Sequence, residues 1–327
     1  MKSRGLYIFV ITASIICAIV VYEIIYYRFS CVNWHDPNTQ FDPDLGWGPI
    51  PNRHIEDQWG GITSNSLGFR SEEINPAKGH VIVLGDSVAW GYGVGDNETM
   101  PYFLNRRLNA YNCQVSNLAV SGYGIDQYYL FLKRHIDKFE NLKYVVLVIC
   151  TDLDFDETIN DTRYGKRKPL HVFKDGEIAL SNVPIRKFDI RNLFSLSLTL
   201  NVLSKRFKAV DDFLNHISGA KTLDKEQGER LVRALLKRIY DITTERNAGL
   251  IVVTVPAEND FVEKTERLVW FQDYFLSKRD YARYIDFYDE LKRSGEDTEE
   301  LYVDPWHLGR DGNELLAASI FKGMILN

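Results

Sequence analysis

The chain is poor in the residues that hold small or metal-dependent folds together. Its 327 residues include four cysteines, and no Cys-x-x-Cys or His/Cys spacing indicates a zinc site. No Lys/Arg-rich run is present and the net charge is −6, which argues against a protein that binds nucleic-acid phosphates. The cysteines are compatible with one disulfide, but buried free thiols are the simpler interpretation. At 45% hydrophobic and 26% charged residues, we expect an ordinary globular core.

One uncharged run dominates the N-terminal region, where residues 5–22 read GLYIFVITASIICAIVVY. Eighteen helical residues span roughly 27 Å at about 1.5 Å each, close to the hydrocarbon thickness of a bilayer. The alternatives are a cleaved signal peptide and a buried core helix. The run exceeds the usual signal-peptide stretch of about 7–15 residues, and no small-residue cleavage site follows it. We interpret residues 1–29 as a signal anchor that forms a transmembrane helix.

Charges around this run predict its orientation. Lys2 and Arg4 precede it, which places the N-terminus in the cytoplasm and the rest of the chain outside. Residues 1–30 hold three basic residues and one acidic residue, so the rest of the chain carries 36 basic against 44 acidic, a net charge of −8. The expected location is the cell membrane, single-pass, with an acidic body on the extracytoplasmic side.

Apolar runs and amphipathic segments alternate through that body. Such alternation predicts a parallel sheet with helices on both faces, a three-layer α/β/α fold. Ligands of such sheets bind at the carboxyl ends of the strands. Asp96 or Asn97 is the predicted cap of the first long helix. The predicted strands are 81–84, 115–120, 144–150, 249–255 and 285–287, and the predicted helices are 98–108, 126–139, 224–246 and 313–324.

Two segments depart from this alternation. Residues 30–78, rich in Pro, Asn, Gly and Trp, predict an extended lead-in segment. Residues 152–222 contain a hairpin-like stretch with Lys174-Asp175-Gly176 at the turn, followed by a helical stretch at 191–207. We interpret 152–222 as an inserted cap, so that residues 79–327 form one domain.

Two short motifs carry residues with catalytic potential. The first predicted strand ends in Gly85-Asp86-Ser87, and Asp304-Pro305-Trp306-His307 precedes the last helix. A serine hydroxyl is a poor nucleophile until an imidazole takes its proton, and the imidazole needs an acceptor that fixes its tautomer. Asp86 is interpreted as a structural hydrogen-bonding group rather than a second base. Each motif alone is a weak signal, because both are common in turns.

Together, the motifs resemble those of the SGNH (GDSL) hydrolase family. VIVLGDSVAWGYG is similar to the family's nucleophile block, with Ser87 as nucleophile, and DPWH is similar to its last block, with Asp304 and His307. SNLAVSGYG is similar to the second block, in which Gly122 gives a backbone N–H to the oxyanion hole. The resemblance runs from Gly79 to the C-terminus and implies a flavodoxin-like sheet.

The lead-in carries a further, less specific resemblance. SNSLGFRSEE, residues 64–73, and the stretch around Trp47 and Gly48 are similar to an N-terminal extension of membrane-anchored bacterial members of the family.

Four aromatic residues flank the catalytic blocks and are candidates for lining an acyl or sugar site: Trp90, Tyr92, Tyr123 and Trp306.

One position departs from the family pattern. The third block normally carries an Asn whose amide donates to the oxyanion, whereas the third predicted strand here ends in Cys150-Thr151-Asp152, which puts Thr151 at that Asn. A threonine hydroxyl donates one hydrogen bond and reaches less far than an amide. Loss of one oxyanion donor costs about 10²- to 10³-fold in rate. Thr151 is either a tolerated substitute or the mark of slower, altered or lost chemistry.

The resemblance implies a serine esterase acting on an ester-bearing substrate, such as an O-acylated cell-surface glycan or a lipid ester. Ser87 attacks the ester carbonyl, His307 is the general base and Asp304 orients it, while the N–H groups of Ser87 and Gly122 face the oxyanion. The alternatives are an O-acyltransferase with the same triad and a non-catalytic glycan-binding domain. No cofactor, metal or nucleic-acid partner is expected.

Overall fold

The computed structural model describes part of the chain, in two compact units. The larger comprises Asn38–Asp161, Lys168–Ile185 and Thr222–Asn327, and contains both catalytic motifs. The smaller comprises Met1–Pro37, Thr162–Arg167 and Arg186–Lys221; its described residues include an antiparallel pair, Thr162–Arg163 with Lys166–Arg167. The described residues are 7, 11–12, 14–15, 17–22, 38–163, 166–186, 206, 221–278, 281–295 and 297–325.

The larger unit is built on a five-stranded sheet in which every pairing is parallel. Its spatial order is β5-β4-β3-β1-β2. This is the flavodoxin-like order, and the chain reverses direction across the sheet at the β1/β3 pair, where such sheets bind ligands. The predicted parallel α/β sheet is therefore confirmed. The strands are β1 Gly79–Leu84, β2 Cys113–Asn117, β3 Leu142–Cys150, β4 Gly249–Val255 and β5 Arg283–Asp286.

The sheet is buried on both faces because its strands are apolar at successive positions. Along β1, Ile82 and Leu84 pack into one hydrophobic cluster while Val81 and Val83 pack into another. Successive strand side chains point to opposite faces, so a continuous apolar run requires helices packed on both faces of the sheet. The helices that supply the two covers and connections are α1 Ser87–Trp90, α2 Met100–Leu108, α3 Ile125–His135, α4 Asp154–Ile159, α5 Lys225–Thr244, α6 Glu266–Leu276, α7 Phe287–Ser294, α8 Thr298–Leu301 and α9 Arg310–Ile325.

Helix α2 begins two residues later than predicted, and its cap differs. Thr99, rather than Asp96 or Asn97, is the N-cap, and its hydroxyl accepts a hydrogen bond from the Tyr102 N–H at 3.2 Å. Asp96 instead pairs with Arg70 at 2.8 Å, in the short 3₁₀ helix Asp96–Glu98. The carboxylate is taken by a distant cation, so the next hydroxyl along the chain caps the helix.

The lead-in segment is more ordered than the prediction of an irregular extended chain. From Asn38 onward it belongs to the larger unit, and it contains two antiparallel hairpins. Trp47 and Phe69 from this segment are almost fully buried in the core. These large apolar side chains tie the segment to the domain through packing that local sequence does not reveal. The hairpins pair Thr39–Asp42 with Gly46–Pro49 and His54–Asp57 with Gly60–Thr63.

The predicted cap region is divided between the two units. The hairpin-like stretch is a hairpin of the larger unit, Leu170–Lys174 with Glu177–Ser181, and its turn residues Asp175 and Gly176 both have positive φ. Positive φ at both central residues is the geometry that favours Asp-Gly in two-residue turns. The helical stretch predicted at 191–207 lies outside the described residues except for Arg206, which is helical.

The predicted signal anchor, residues 1–29, also lies largely outside the described residues. Those of its residues that the structure describes, from Tyr7 to Tyr22, are helical. In the described part of the chain, no helix has both the length and the hydrophobicity to cross a membrane.

Candidate active site

Ser87 lies at the start of α1, just beyond the carboxyl end of β1. A Cβ at Gly85 would lie 2.5 Å from the Ala89 Cβ and 3.0 Å from the Val148 carbonyl oxygen, so only glycine fits this turn. Asp86 caps α1, because its carboxylate accepts from the Val88 N–H at 2.9 Å. The sequence Gly-Asp-Ser thus builds a tight turn that presents Ser87 at the edge of the sheet.

His307 links Ser87 to Asp304. The His307 Nε2 lies 2.8 Å from the Ser87 Oγ, and its Nδ1 lies 2.8 Å from both carboxylate oxygens of Asp304. These partners fit the tautomer in which Nδ1–H donates to the carboxylate and Nε2 accepts from the serine hydroxyl. The structure therefore brings together the three residues singled out from the two motifs in a geometry that can remove the serine proton.

Asp304 is held by the turn that also carries His307. One of its oxygens accepts from the backbone N–H groups of Trp306, at 2.9 Å, and His307, at 3.0 Å. Burial raises the pKa of Asp304, but the hydrogen bonds from Trp306 and from the His307 ring and backbone outweigh it, so the pKa lies below its ordinary value. The carboxylate therefore stays ionised and can stabilise a protonated imidazole.

The loop that carries Gly122 runs beside the nucleophile turn. Val120 donates its N–H to the Gly85 carbonyl oxygen at 3.1 Å, and the buried Asn117 amide donates to the carbonyl oxygens of Ala89 and Trp90. Gly122 has φ of +75°, which favours glycine. Within the described residues, the Gly122 N–H donates to no protein acceptor. Asn117 thus ties the end of β2 to α1, and the Gly122 N–H is available to a ligand.

Thr151, which the sequence offers as a doubtful third oxyanion donor, is fully buried just after the end of β3. Its hydroxyl donates to the Val255 carbonyl oxygen at 3.4 Å, and its N–H donates to the same oxygen at 3.2 Å. Both donors are therefore directed at the end of the neighbouring strand β4. Because this backbone oxygen already engages the hydroxyl, we expect Thr151 to contribute no third oxyanion hydrogen bond.

We expect Thr151→Val to leave the kcat for ester hydrolysis within about threefold of native, since the lost hydroxyl bonds only to a carbonyl that keeps its backbone partner. A true oxyanion donor would cost about 10²- to 10³-fold. Steady-state kinetics on p-nitrophenyl acetate, with Ser87→Ala setting the background rate, measures the difference. A hundredfold loss would show that Thr151 turns toward the oxyanion during the reaction.

A cluster of buried carboxylates lies close to the nucleophile turn. Burial first, and then the negative charges of Asp86 and Glu157, raise the pKa of Asp154 well above its ordinary value. Burial and the neighbouring carboxylates therefore both disfavour the ionised form of Asp154. Asp86 is also buried, and its carboxylate accepts the hydrogen bond that caps α1. This use of the carboxylate fits a structural role better than that of a second base.

One aromatic side chain, Tyr92, contacts the His307 ring, and a second, Trp59, packs against Tyr92. The Tyr92 ring centroid lies 4.5 Å from that of His307 and 5.2 Å from that of Trp59. Tyr92, Trp59 and Trp306 are each more than one third exposed, and the Trp306 indole donates to Asp152 at 3.0 Å. Of the four aromatic residues predicted to line the site, Trp90 and Tyr123 are instead buried in the core. Trp59 was not predicted, because nothing in the lead-in sequence connects it with the catalytic motifs.

Arg70 is a second residue whose role the sequence did not reveal. Its guanidinium is buried, donates to the carbonyl oxygens of Gly91 at 2.7 Å and Val94 at 2.8 Å, and pairs with Asp96. It also lies 4.4 Å from the centre of the Trp90 ring. Arg70 lies in the SNSLGFRSEE stretch that the sequence singled out. The loop that it binds, which carries Tyr92, is apparent only in the tertiary structure.

No family model and no curated protein matches the sequence. Among solved structures, the chain is similar to a member of the lipolytic protein G-D-S-L family from Veillonella parvula DSM 2008, at 12% identity and TM-score 0.41, covering 74% of this chain and 96% of that one.

Two further solved structures are similar to the chain. LAE5, an alpha/beta hydrolase enzyme from the metagenome of Lake Arreo, is 13% identical at TM-score 0.45, with 76% and 96% coverage of this chain and that one. The acetyl xylan esterase AlAXEase is 14% identical at TM-score 0.44, with 75% and 100% coverage. Because these TM-scores are below 0.5, the interpretation of the site rests on the geometry of this chain.

Proposed function

We propose that the chain is a membrane-anchored serine esterase of the SGNH type that acts outside the cytoplasmic membrane. The observation that carries the proposal is the hydrogen-bonded series Ser87–His307–Asp304, in which Ser87 and His307 are 220 positions apart along the chain. An activated serine at the carboxyl edge of a parallel sheet suits acyl transfer from an ester.

In the proposed reaction, the His307 Nε2 takes the Ser87 proton while the Ser87 Oγ attacks the ester carbonyl. The resulting oxyanion is stabilised by the N–H groups of Ser87 and Gly122, and Asp304 stabilises the imidazolium. His307 then returns the proton to the leaving alcohol oxygen as the ester C–O bond breaks. A water molecule, deprotonated by the same imidazole, attacks the acyl-enzyme and releases the acid and Ser87.

We favour an O-acylated cell-surface glycan as substrate over a lipid ester. Tyr92 packs beside His307, and Trp59 packs against Tyr92; both rings are partly exposed, and the Trp306 indole donates to Asp152. Partly exposed aromatic rings with polar neighbours suit a ligand that has both apolar faces and hydroxyl groups, as a sugar ring does. The predicted anchor would hold the site close to such a glycan.

A membrane-impermeant fluorophosphonate probe tests activity and location together. The full chain, Ser87→Ala and the matched serine variant Ser277→Ala are expressed in bacteria, and spheroplasts are labelled either intact or after lysis. We expect native protein and Ser277→Ala to be labelled in both preparations, and Ser87→Ala in neither. Acetate release from an O-acetylated oligosaccharide, measured beside hydrolysis of a long-chain fatty ester, then tests the substrate class.

Each outcome bears on one part of the proposal. Failure to label native protein in lysates would overturn the serine esterase, and labelling only after lysis would overturn the outward-facing location. Preferential hydrolysis of the fatty ester would replace the glycan with a lipid substrate.

A further inference from the structure

Trp47 connects the lead-in segment to the loop that carries Gly122. Its side chain is 3% exposed, and its indole Nε1–H donates to the Ser121 carbonyl oxygen at 3.0 Å across 74 positions of sequence. Trp47 lies in the hairpin strand Gly46–Pro49, before the three blocks that resemble the catalytic blocks of the SGNH family. A residue of the lead-in segment thus donates a specific hydrogen bond to the residue just before a predicted oxyanion donor.

The Ser121 carbonyl and the Gly122 N–H belong to the same peptide group. A trans peptide is planar, so its C=O and N–H point in opposite directions and turn together. A donor that fixes the carbonyl oxygen therefore also fixes the direction of the N–H. Because Gly122 has φ of +75° and no Cβ, its backbone is otherwise freer to rotate than that of other residues.

A second contact braces Trp47 itself. The Tyr123 hydroxyl donates to the Trp47 carbonyl oxygen at 2.5 Å, and the centroids of the two rings lie 5.7 Å apart. The Gln127 amide donates to the Leu45 carbonyl oxygen at 2.8 Å, which ties the same hairpin to α3. The indole is therefore held at its backbone, and its N–H has a fixed position from which to orient the Ser121–Gly122 peptide.

We propose that Trp47 is a positioning residue of the oxyanion hole. Its indole N–H holds the Ser121–Gly122 peptide so that the Gly122 N–H faces the developing oxyanion, and polarises that peptide so that the N–H donates more strongly. This inference rests on the proposed esterase function. It gives the lead-in a direct part in the chemistry, in addition to its packing against the core.

Removing the indole N–H while keeping the ring tests the proposal. We expect Trp47→Phe to lower kcat for p-nitrophenyl acetate and the rate constant of phosphonylation by a fluorophosphonate about tenfold, with KM within twofold of native. This loss of rate is smaller than the 10²- to 10³-fold typical for complete removal of an oxyanion donor, because the Gly122 N–H itself remains. The pH dependence of kcat/KM should keep its shape, because the triad is untouched.

Trp270→Phe is the matched control. It removes an indole that packs against the same hydrophobic cluster, and the Trp270 Nε1–H has no hydrogen-bond partner among the described residues, so we expect a lower midpoint of thermal unfolding with kcat within twofold. Incorporation of 3-benzothienylalanine at position 47 keeps the size of the indole and replaces its N–H with sulfur. It should reproduce the kinetic loss even where Trp47→Phe does not fold.

The two proposals fail separately. Absence of native labelling would overturn the esterase function and this inference with it. Native labelling together with unchanged phosphonylation of the benzothienylalanine variant would overturn the role of Trp47 alone. An equal kinetic loss in Trp270→Phe would also overturn it, because general loss of packing in the core would then account for the effect.

Discussion

Asp304→Asn is expected to lower kcat for ester hydrolysis about 10⁴-fold while the protein stays folded. An asparagine keeps the shape of the side chain, and its Oδ1 can still accept from the N–H groups of Trp306 and His307. Its amide, however, donates toward the His307 Nδ1. The imidazole then adopts the other tautomer and presents Nε2–H to the Ser87 hydroxyl, where it cannot accept the proton.

Steady-state kinetics measure the loss, and circular dichroism verifies folding. Asp86→Asn is the matched carboxylate control, because its Oδ1 can still cap α1, and we expect kcat within about tenfold of native. A loss of less than tenfold for Asp304→Asn would show that the carboxylate does not set the tautomer. A loss for Asp86→Asn that matches that of Asp304→Asn would assign a catalytic role to Asp86.

Arg70→Met is expected to lower the free energy of unfolding by about 2–4 kcal/mol, because each buried carbonyl oxygen left without its donor costs about 1–3 kcal/mol. The Arg70 side chain is 2% exposed and donates to the loop carbonyls of Trp90, Gly91 and Val94 as well as to Asp96. Without it, the carbonyl oxygens of Gly91 and Val94 lose this donor and Trp90 loses the cation over its ring. We also expect slower ester hydrolysis, since Tyr92 in the same loop packs on His307.

Arg134→Met is the matched arginine control. Arg134 pairs with Asp42 and Asp44, and one third of its side chain is exposed. We therefore expect Arg134→Met to lower the free energy of unfolding by only about 0–1 kcal/mol. Urea unfolding followed by fluorescence gives both values. Equal losses for Arg70→Met and Arg134→Met would contradict the structural role of Arg70, as would full stability in Arg70→Lys, which lacks the planar fork of donors.

The sequence predicted the sheet well because the information for it is local. An unbroken β-branched run such as residues 144–150 can be buried on both faces only in a strand between two layers of helices. The same locality holds for the catalytic motifs, since Gly85-Asp86-Ser87 is one turn and Asp304 lies three positions before His307. Strand ends and caps were less accurate; Thr99 caps α2 because Arg70, far away in sequence, takes Asp96.

Contacts between distant segments could not be predicted. Composition, periodicity and short motifs identified the α/β class and the candidate triad from residues adjacent in the chain. The direction of the Thr151 hydroxyl, the ring contacts of Tyr92 with His307 and Trp59, and the Trp47 contact with Ser121 each depend on how separate elements pack. A side chain's hydrogen-bond partner is whichever group the fold brings within about 3 Å. The local sequence of the lead-in does not specify which loop packs against it, so only the tertiary structure decides these partners.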